Sequence, residues 1–224
     1  TPDLDKVLDE AKYKYESIRL VGYDHNQGLG KALQYGLNSC SNEIIFRMDA
    51  DDIAVKGRFE KQLAFMQVNN LDVCGGYIEE FASVPGDTKV FRRVPITPLP
   101  YNFKKRNPFN HMTIAYRKSK ILAVGGYEDV PGYEDYYLWL KLWRNGARMK
   151  NMNDVLVYAR TGNGLMQRRR GYAFYKKEIY FQKVALGLGV WGFTTFIQNI
   201  AIRALPRLMP ASIVKLIYQI FLRR

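Results

Sequence analysis

Cysteine and histidine are scarce in this chain of 224 residues, two of each. Cys40 and Cys74 lack metal-site spacing, which argues against a thiolate-held metal, and two thiols in a chain of this size suit a reducing compartment. Acid is scarce in the last quarter. Residues 161–224 hold 11 Lys and Arg against the single acid Glu178, whereas residues 1–160 hold 23 basic and 20 acidic residues, so most of the formal +13 lies at the C-terminal end. A long, purely apolar run is lacking as well. The uncharged stretch Val184 to Ile202 approaches the ~20 residues of a membrane span, but Gly187, Gly189, Gly192, Thr194, Thr195, Gln198 and Asn199 dilute it. Internal repeats and low-complexity segments are absent. What remains, 47% hydrophobic by composition, is enough for a sizeable core, and one α/β domain with an appendage is the natural organisation.

The most informative segment is Arg47-Met48-Asp49-Ala50-Asp51-Asp52, directly after the apolar run Glu43 to Phe46. It predicts three carboxylates at the exit of a buried strand, where an open α/β sheet keeps its ligand site. Carboxylates gathered there repel one another and lose hydration, so the arrangement makes physical sense mainly where a cation or a cationic partner neutralises them. Oxygen-only ligands suit Mg²⁺ or Mn²⁺. The plainer alternative is a solvated turn in which Asp51 or Asp52 caps the helix expected from Arg58. Upstream, Ile18 to Tyr23 reads as a short strand, Asp24 to Lys31 as a glycine loop, and Ala32, Leu33 and Leu37 as a helical stripe. This alternation argues for a parallel sheet flanked by helices. Gly28 and Gly30 fit a phosphate-approaching loop only weakly and a structural turn better.

A second constellation is Glu134-Asp135. From Tyr136 to Trp143 apolar residues recur at helical spacing, so the acidic pair opens a helix, where unpaired N–H groups favour ionised carboxylates. Capping and acid–base chemistry are both consistent with that position. His111, with Asn110, sits in Arg106-Asn107-Pro108-Phe109-Asn110-His111 as either a hydrogen-bonded loop residue or a ligand contact. Tyr127, after Gly125-Gly126, either packs or stacks on a sugar, packing being favoured. His25 reads as a loop side chain.

The segments together resemble family 2 glycosyltransferases. The blocks are Asn26-Gln27-Gly28-Leu29-Gly30-Lys31-Ala32-Leu33, Arg47 to Asp52, Arg58-Phe59-Glu60-Lys61-Gln62, Cys74-Gly75-Gly76, Asn107 to His111, Gly125-Gly126-Tyr127, and Glu134-Asp135-Tyr136-Tyr137-Leu138-Trp139. Their order and register are similar to those of bacterial exopolysaccharide and capsule enzymes of the amylovoran-biosynthesis type. The resemblance implies a GT-A fold, Rossmann-like with a mostly parallel central sheet flanked by helices. It implies inverting transfer of a sugar from a nucleotide-sugar, usually a UDP-sugar, to a hydroxyl. Asp51 would hold the metal, Asp49 would face the ribose or the metal, Asp52 would support them, and Gly28 and Lys31 would lie on the donor side. Asp135 would be the general base, with Glu134 as second choice or acceptor-positioning group, and His111, Asn110 and Tyr127 would lie along the acceptor. The family places a further strand before the amphipathic pattern Leu4, Val7, Leu8, Ala11, Tyr15, so the expected domain, residues 1–160, lacks its first strands and part of the nucleoside pocket.

Residues 161–224 are expected to form a basic, amphipathic helical region opening with Gln167-Arg168-Arg169-Arg170 and closing with Ile213 to Arg224. It fits an interfacial anchor on an anionic membrane, at the cytoplasmic side of the bacterial inner membrane, close to an undecaprenyl-diphosphate-type acceptor whose diphosphate would suit the arginine triplet. A helical lid packed on the catalytic domain is the plainer reading. Nucleic acid is not an expected partner, since no nucleic-acid-binding motif accompanies the charge. Two other functions compete: a truncated, non-catalytic fragment that only binds a membrane or partner, and a metal-dependent nucleotidyltransferase.

Overall fold

The computed structural model describes residues 2–161 and 171–209. The triplet Arg168 to Arg170 and the segment Ile213 to Arg224 lie outside the described residues. Among the described residues six strands form one sheet: β1 Ile44–Phe46, β2 Ile53–Ala54, β3 Val73–Phe81, β4 Val90–Arg92, β5 Ala115–Arg117 and β6 Met149–Arg160. Their order is β1-β5-β3-β6-β2, with β4 beside the outer half of β3. The α-helices among the described residues are α1 Pro2–Lys14, α2 Leu29–Ser39, α3 Arg58–Val68, α4 Pro100–Lys105, α5 Lys118–Ala123, α6 Glu134–Arg144, α7 Gly171–Gly187 and α8 Phe193–Asn199.

Side chains alternate across the sheet with the period of two that a pleated strand imposes. Ile45, Val73 and Tyr116 face a core built with Leu37 of α2, Ile121 of α5, Leu138, Trp139 and Leu142 of α6, and Phe181 of α7. Ile44, Phe46, Cys74 and Ala115 face the other way, onto Met66 of α3, Leu71 and Leu156. Helices therefore cover both faces of the central strands. Cys40 is half-buried and Cys74 buried, both free, and burial pushes the Cys74 thiol up to about 11.

The expected α/β layering is present, but the expected parallel sheet is not. Among the described strands β3 and β6 pair parallel, whereas β1–β5, β5–β3, β3–β4 and β6–β2 are antiparallel. Continuous apolar runs report burial on both faces; they do not report strand direction. The expected strand at 18–23 is also not formed. Leu20, Val21 and Tyr23 are exposed, and no ladder partner for this segment exists among the described residues. The amphipathic pattern of α1 is helical as expected, but Leu4 and Val7 are more than half exposed.

The segment Gly75-Gly76 sits at a register shift in the β3–β6 ladder. A Cβ on Gly75 would stand 2.4 Å from Asn151 Oδ1, and one on Gly76 would stand 2.5 Å from Leu156 Cδ1. The glycine pair thus lets β6 approach a bulged strand.

Residues 171–209 pack against α6, on the side of the sheet that Val73 and Tyr116 face. Phe181, Ala185, Val190 and Trp191 join the same core as α6. The stretch Val184 to Ile202 is not one helix: α7 ends at Gly187, Gly189 takes φ +65°, and α8 starts at Phe193. Among the described residues no helix is long and apolar enough to cross a membrane.

Candidate functional site

The antiparallel register of β1 and β5 assembles the site. Phe46 pairs with Ala115, and the Arg47 N–H donates to the Ile114 carbonyl at 2.8 Å. The chain leaving β1 therefore runs beside the chain entering β5, which brings Arg47 and the acidic turn next to the segment Asn107 to Thr113. The turn is held on its far side by the end of β6. The Arg160 N–H donates to Asp52 Oδ1 at 2.9 Å, and Arg160 Nε donates to the Asp51 carbonyl at 3.2 Å. Arg160 also lies over the Phe81 ring, 4.5 Å from its centroid.

The three carboxylates occupy different environments. Asp49 pairs with Arg47 at 2.5 Å. Asp51 is exposed. Asp52 is half-buried, and its Oδ2 has no hydrogen-bond partner. Its carboxyl is raised above the ordinary aspartate range, first by burial and further by Asp49 and Asp51, against the opposing effect of the Arg160 N–H. The turn does not cap α3: Gly57, at φ +77°, precedes Arg58, and β2 intervenes. No group of three His, Cys, Asp or Glu among the described residues is close enough to hold a metal unaided. The donor set nevertheless fits a hard divalent ion completed by phosphate oxygens and water, since such ions take one or two carboxylates from the protein. The orphaned Asp52 Oδ2 fits a nearby cation for the same reason.

A buried polar brace supports the turn. Arg58, 2% exposed, donates through Nε to Gln62 Oε1 at 2.8 Å and through Nη2 to the Arg47 carbonyl at 2.9 Å. Gln62 Nε2 in turn donates to the carbonyls of Thr113 and Cys74, at 2.8 and 3.2 Å. Burial, and then the like charge of Arg47, lower the Arg58 guanidinium to about 10. The i, i+4 spacing of Arg58, Gln62 and Met66 puts two polar groups on the inward face of α3, a signal present in the sequence but not assigned a role there. Replacing Gln62 with Leu orphans Arg58 Nε and the buried Thr113 carbonyl, so we expect a loss of about 1–3 kcal/mol per buried group left unsatisfied, read as a lowered urea midpoint; an unchanged midpoint would exclude a bracing role.

The Glu134-Asp135 pair opens α6 as expected. Asp135 lines a cavity of about 360 Å³ with Asn107, Asn110 and His111. Asp135 Oδ2 accepts from Asn107 Nδ2 at 2.7 Å, and Oδ1 accepts from the Tyr136 N–H at 2.7 Å. Its carboxyl is raised chiefly by burial, and by Glu134 as a like charge, although those two hydrogen bonds and Arg47 oppose the shift. Glu134 is buried, with its Cγ at 3.1 Å from a Cβ placed on Gly30. It therefore packs α6 against α2 and does not line the cavity. Asn107, missed as a site residue in the sequence, is the side chain that orients Asp135.

His111 Nε2 lies 3.0 Å from the Tyr127 hydroxyl, and its ring meets the edge of Trp139. Burial, then Arg47, hold its imidazole well below the ordinary range, so it is neutral at pH 7. Tyr127 is 4% exposed and its N–H is bound by Gln34 Oε1; it backs His111 from behind and packs, as favoured. Asn110 Nδ2 donates to the carbonyls of Gly76 and Arg92, which fixes the cavity wall. Gly28, at φ +91°, precedes α2 and is bound by Asn26 Oδ1; Lys31 in the first turn of α2 is exposed, as is His25. Arg47, the residue the sequence quoted but did not assign, links the two constellations: it pairs with Asp49 and its charge acts on Asp52, Asp135, His111 and Tyr127.

Residues 1–128 match the model of the glycosyl transferase family 2. An uncharacterized glycosyltransferase of Haemophilus influenzae is 45% identical over all of this chain and 84% of its own length. The UDP-Gal:alpha-D-GlcNAc-diphosphoundecaprenol beta-1,3-galactosyltransferase of Escherichia coli is 37% identical over all of this chain and 82% of its own. The amylovoran biosynthesis glycosyltransferase AmsE of Erwinia amylovora is 34% identical over 89% of this chain and 76% of its own. Among solved structures, S. aureus TarS 1-349 with UDP-GlcNAc superposes with a TM-score of 0.60 at 18% identity, covering 81% of this chain and 54% of that one. GalNAc-T7 with UDP, GalNAc and Mn²⁺ superposes with a TM-score of 0.64 at 15% identity, covering 98% of this chain and 46% of that one. These two likenesses establish the GT-A fold alone.

Proposed function

Because the chain belongs to glycosyl transferase family 2, a family of inverting sugar transferases, we propose that it transfers a sugar from a UDP-sugar to a hydroxyl of an undecaprenyl-diphosphate-linked glycan during bacterial surface polysaccharide assembly. The observation that carries this reading is the placement of two separate carboxylate sets around Arg47: the acidic turn on one side and Asp135, facing a cavity, on the other. A transfer without a covalent intermediate requires such a division, one set for the donor diphosphate and one base for the acceptor.

In this reading Asp51 and Asp49 hold Mg²⁺ or Mn²⁺, which when bound neutralises charge on the departing nucleoside diphosphate. Mn²⁺ in the GalNAc-T7 structure supports a divalent ion. Asp52, fixed by Arg160, keeps the turn in shape, and Lys31 lies free to reach a donor phosphate. Asp135, held by Asn107, takes the proton of the acceptor hydroxyl as its oxygen bonds to the anomeric carbon and the bond from that carbon to the diphosphate oxygen breaks. Asn110 and the neutral His111 line the acceptor's approach.

The protein works as a peripheral enzyme at the cytoplasmic face of the inner membrane. Exposed Phe193, Ile197, Ile202, Leu205 and Leu208 follow exposed Lys176, Lys177 and Lys183, the mixture of apolar surface and cations that an anionic interface takes up. The test is transfer from a panel of UDP-sugars to a synthetic glycosyl-diphosphate lipid. Release of UDP with a β-configured or otherwise inverted product is expected; release of pyrophosphate, or no transfer to any acceptor of this class, would overturn the reading.

A further inference from the structure

The cavity beside Asp135 is lined by five arginines that the acid–base chemistry does not use: Arg92, Arg93, Arg106, Arg203 and Arg207. None of the carboxylates of the acidic turn lines it. Arg92 is paired with Glu80, and Arg106 donates to the Arg93 carbonyl at 3.1 Å. Arg203 and Arg207 come from the other end of the chain, and Glu178 places them. Glu178, the lone acid of the last quarter, is fully buried. It accepts from Arg203 Nε at 3.1 Å, Arg207 Nη2 at 3.4 Å, Gln182 Nε2 at 2.9 Å and the Tyr133 hydroxyl.

A carboxylate with no exposure is costly unless paired, and here one negative charge meets two positive ones. The cluster of Glu178, Arg203 and Arg207 therefore keeps a net positive charge at the cavity wall, to which Arg93 and Arg106 add. The two guanidiniums are also fixed in orientation: Arg203 lies over the rings of Tyr136 and Phe181, at 5.6 and 5.7 Å, and Arg207 over Phe174 at 4.5 Å. Stacking of this kind occupies the flat face of a guanidinium and not its N–H edges. Arg203 Nη1 is buried with no hydrogen-bond partner.

We propose that this arginine cavity binds the diphosphate of the acceptor lipid, and that Glu178 of α7 is the positioning residue that brings Arg203 and Arg207, which follow α8, to it. The proposal rests on the acceptor class stated above. Guanidinium forks match phosphate oxygens bidentately, and the cavity lies beside the carboxylate proposed to take the acceptor's proton. A diphosphate could also belong to the donor. Its place is the acidic turn, which stands outside the cavity, so the acceptor's diphosphate is the one that fits.

The experiment is calorimetric titration of the full chain with farnesyl diphosphate, farnesyl phosphate and, separately, UDP with Mn²⁺. Wild type is expected to bind farnesyl diphosphate at least tenfold more tightly than the monophosphate. In the double variant Arg203→Lys/Arg207→Lys, which retains two cations for Glu178 but loses both forks, that preference falls toward unity while Mn²⁺-dependent UDP binding is unchanged. Arg93→Gln, on an exposed side chain away from Glu178, is expected to weaken farnesyl diphosphate binding several-fold with the fold intact. Variants that bind farnesyl diphosphate like wild type would overturn the assignment, and loss of UDP binding in its place would reassign the arginines to the donor. Intact diphosphate selectivity without sugar transfer would sink the proposed function and leave this site standing.

Discussion

Asp135→Asn lowers kcat by about 10²–10⁴-fold, the range that a positioned general base contributes, and leaves the affinity for UDP with Mn²⁺ unchanged. The substitution is close to isosteric. The oxygen of the introduced amide can still accept from the Tyr136 N–H or from Asn107 Nδ2, whose own Oδ1 is held by the Phe109 N–H, so one of the two hydrogen bonds is kept while proton acceptance is lost. The pH dependence provides a second measurement. Burial raises the Asp135 carboxyl above its ordinary value, and a base must be ionised to act, so activity is lost as pH falls through the raised value. The acid limb of kcat/KM therefore lies above the ordinary aspartate pKa of about 3.9. Asn107→Ala removes a hydrogen bond that stabilises the ionised form, and it shifts that limb further upward. A variant Asp135→Asn with turnover within threefold of wild type would remove Asp135 from the base role.

Legibility in the sequence followed the physics of each signal. Periodicity marked α2 and α6, because each has an apolar stripe facing the core, and it put Glu134-Asp135 on the first turn of α6. The acidic turn was legible because three clustered carboxylates at a strand exit are costly without a cation. Strand direction was not legible: Ile44–Phe46 and Val73–Ile78 are apolar because helices cover both faces, whichever way the strands run. Residues 18–23 looked like a strand by composition alone, yet a strand needs a ladder partner, and among the described residues none lies alongside. Arg47, Asn107, Arg160 and Glu178 were not assigned because each acts through a partner distant in sequence, such as Asp135 for Asn107 or Asp52 for Arg160. Glu178 shows this most clearly. As the lone acid of a basic segment it reads as a minority charge on a solvated face, but it is fully buried and anchors two arginines.

Asp51→Ala separates the two explanations of the acidic turn, because they predict opposite changes in activity and stability. If the turn were only structural, its carboxylates would matter for folding and not for turnover. Asp51 is exposed and the turn contacts made at this residue come from its backbone carbonyl, which accepts from Arg160. Its removal is therefore expected to change stability by no more than about 0.5 kcal/mol, as for a surface position. Turnover is expected to fall by about 10²–10⁴-fold, since a metal's stabilisation of the leaving group is worth several kcal/mol, and Mn²⁺ should no longer tighten UDP. Thermal unfolding gives an independent readout on the same turn. The Asp52 carboxyl is raised in the fold, so the folded protein binds a proton there more tightly than the unfolded chain does, and this contribution to stability grows as pH falls through the raised value. As pH rises through the raised value that contribution is lost, and in the proposed reading a divalent cation would take over the neutralising role. Mn²⁺ should therefore raise Tm near pH 7 and do so less near pH 4, and Asp51→Ala should abolish the increase. Turnover that survives in Asp51→Ala, together with a Tm indifferent to Mn²⁺ in wild type, would reduce the turn to a scaffold held by Arg160 and Arg58.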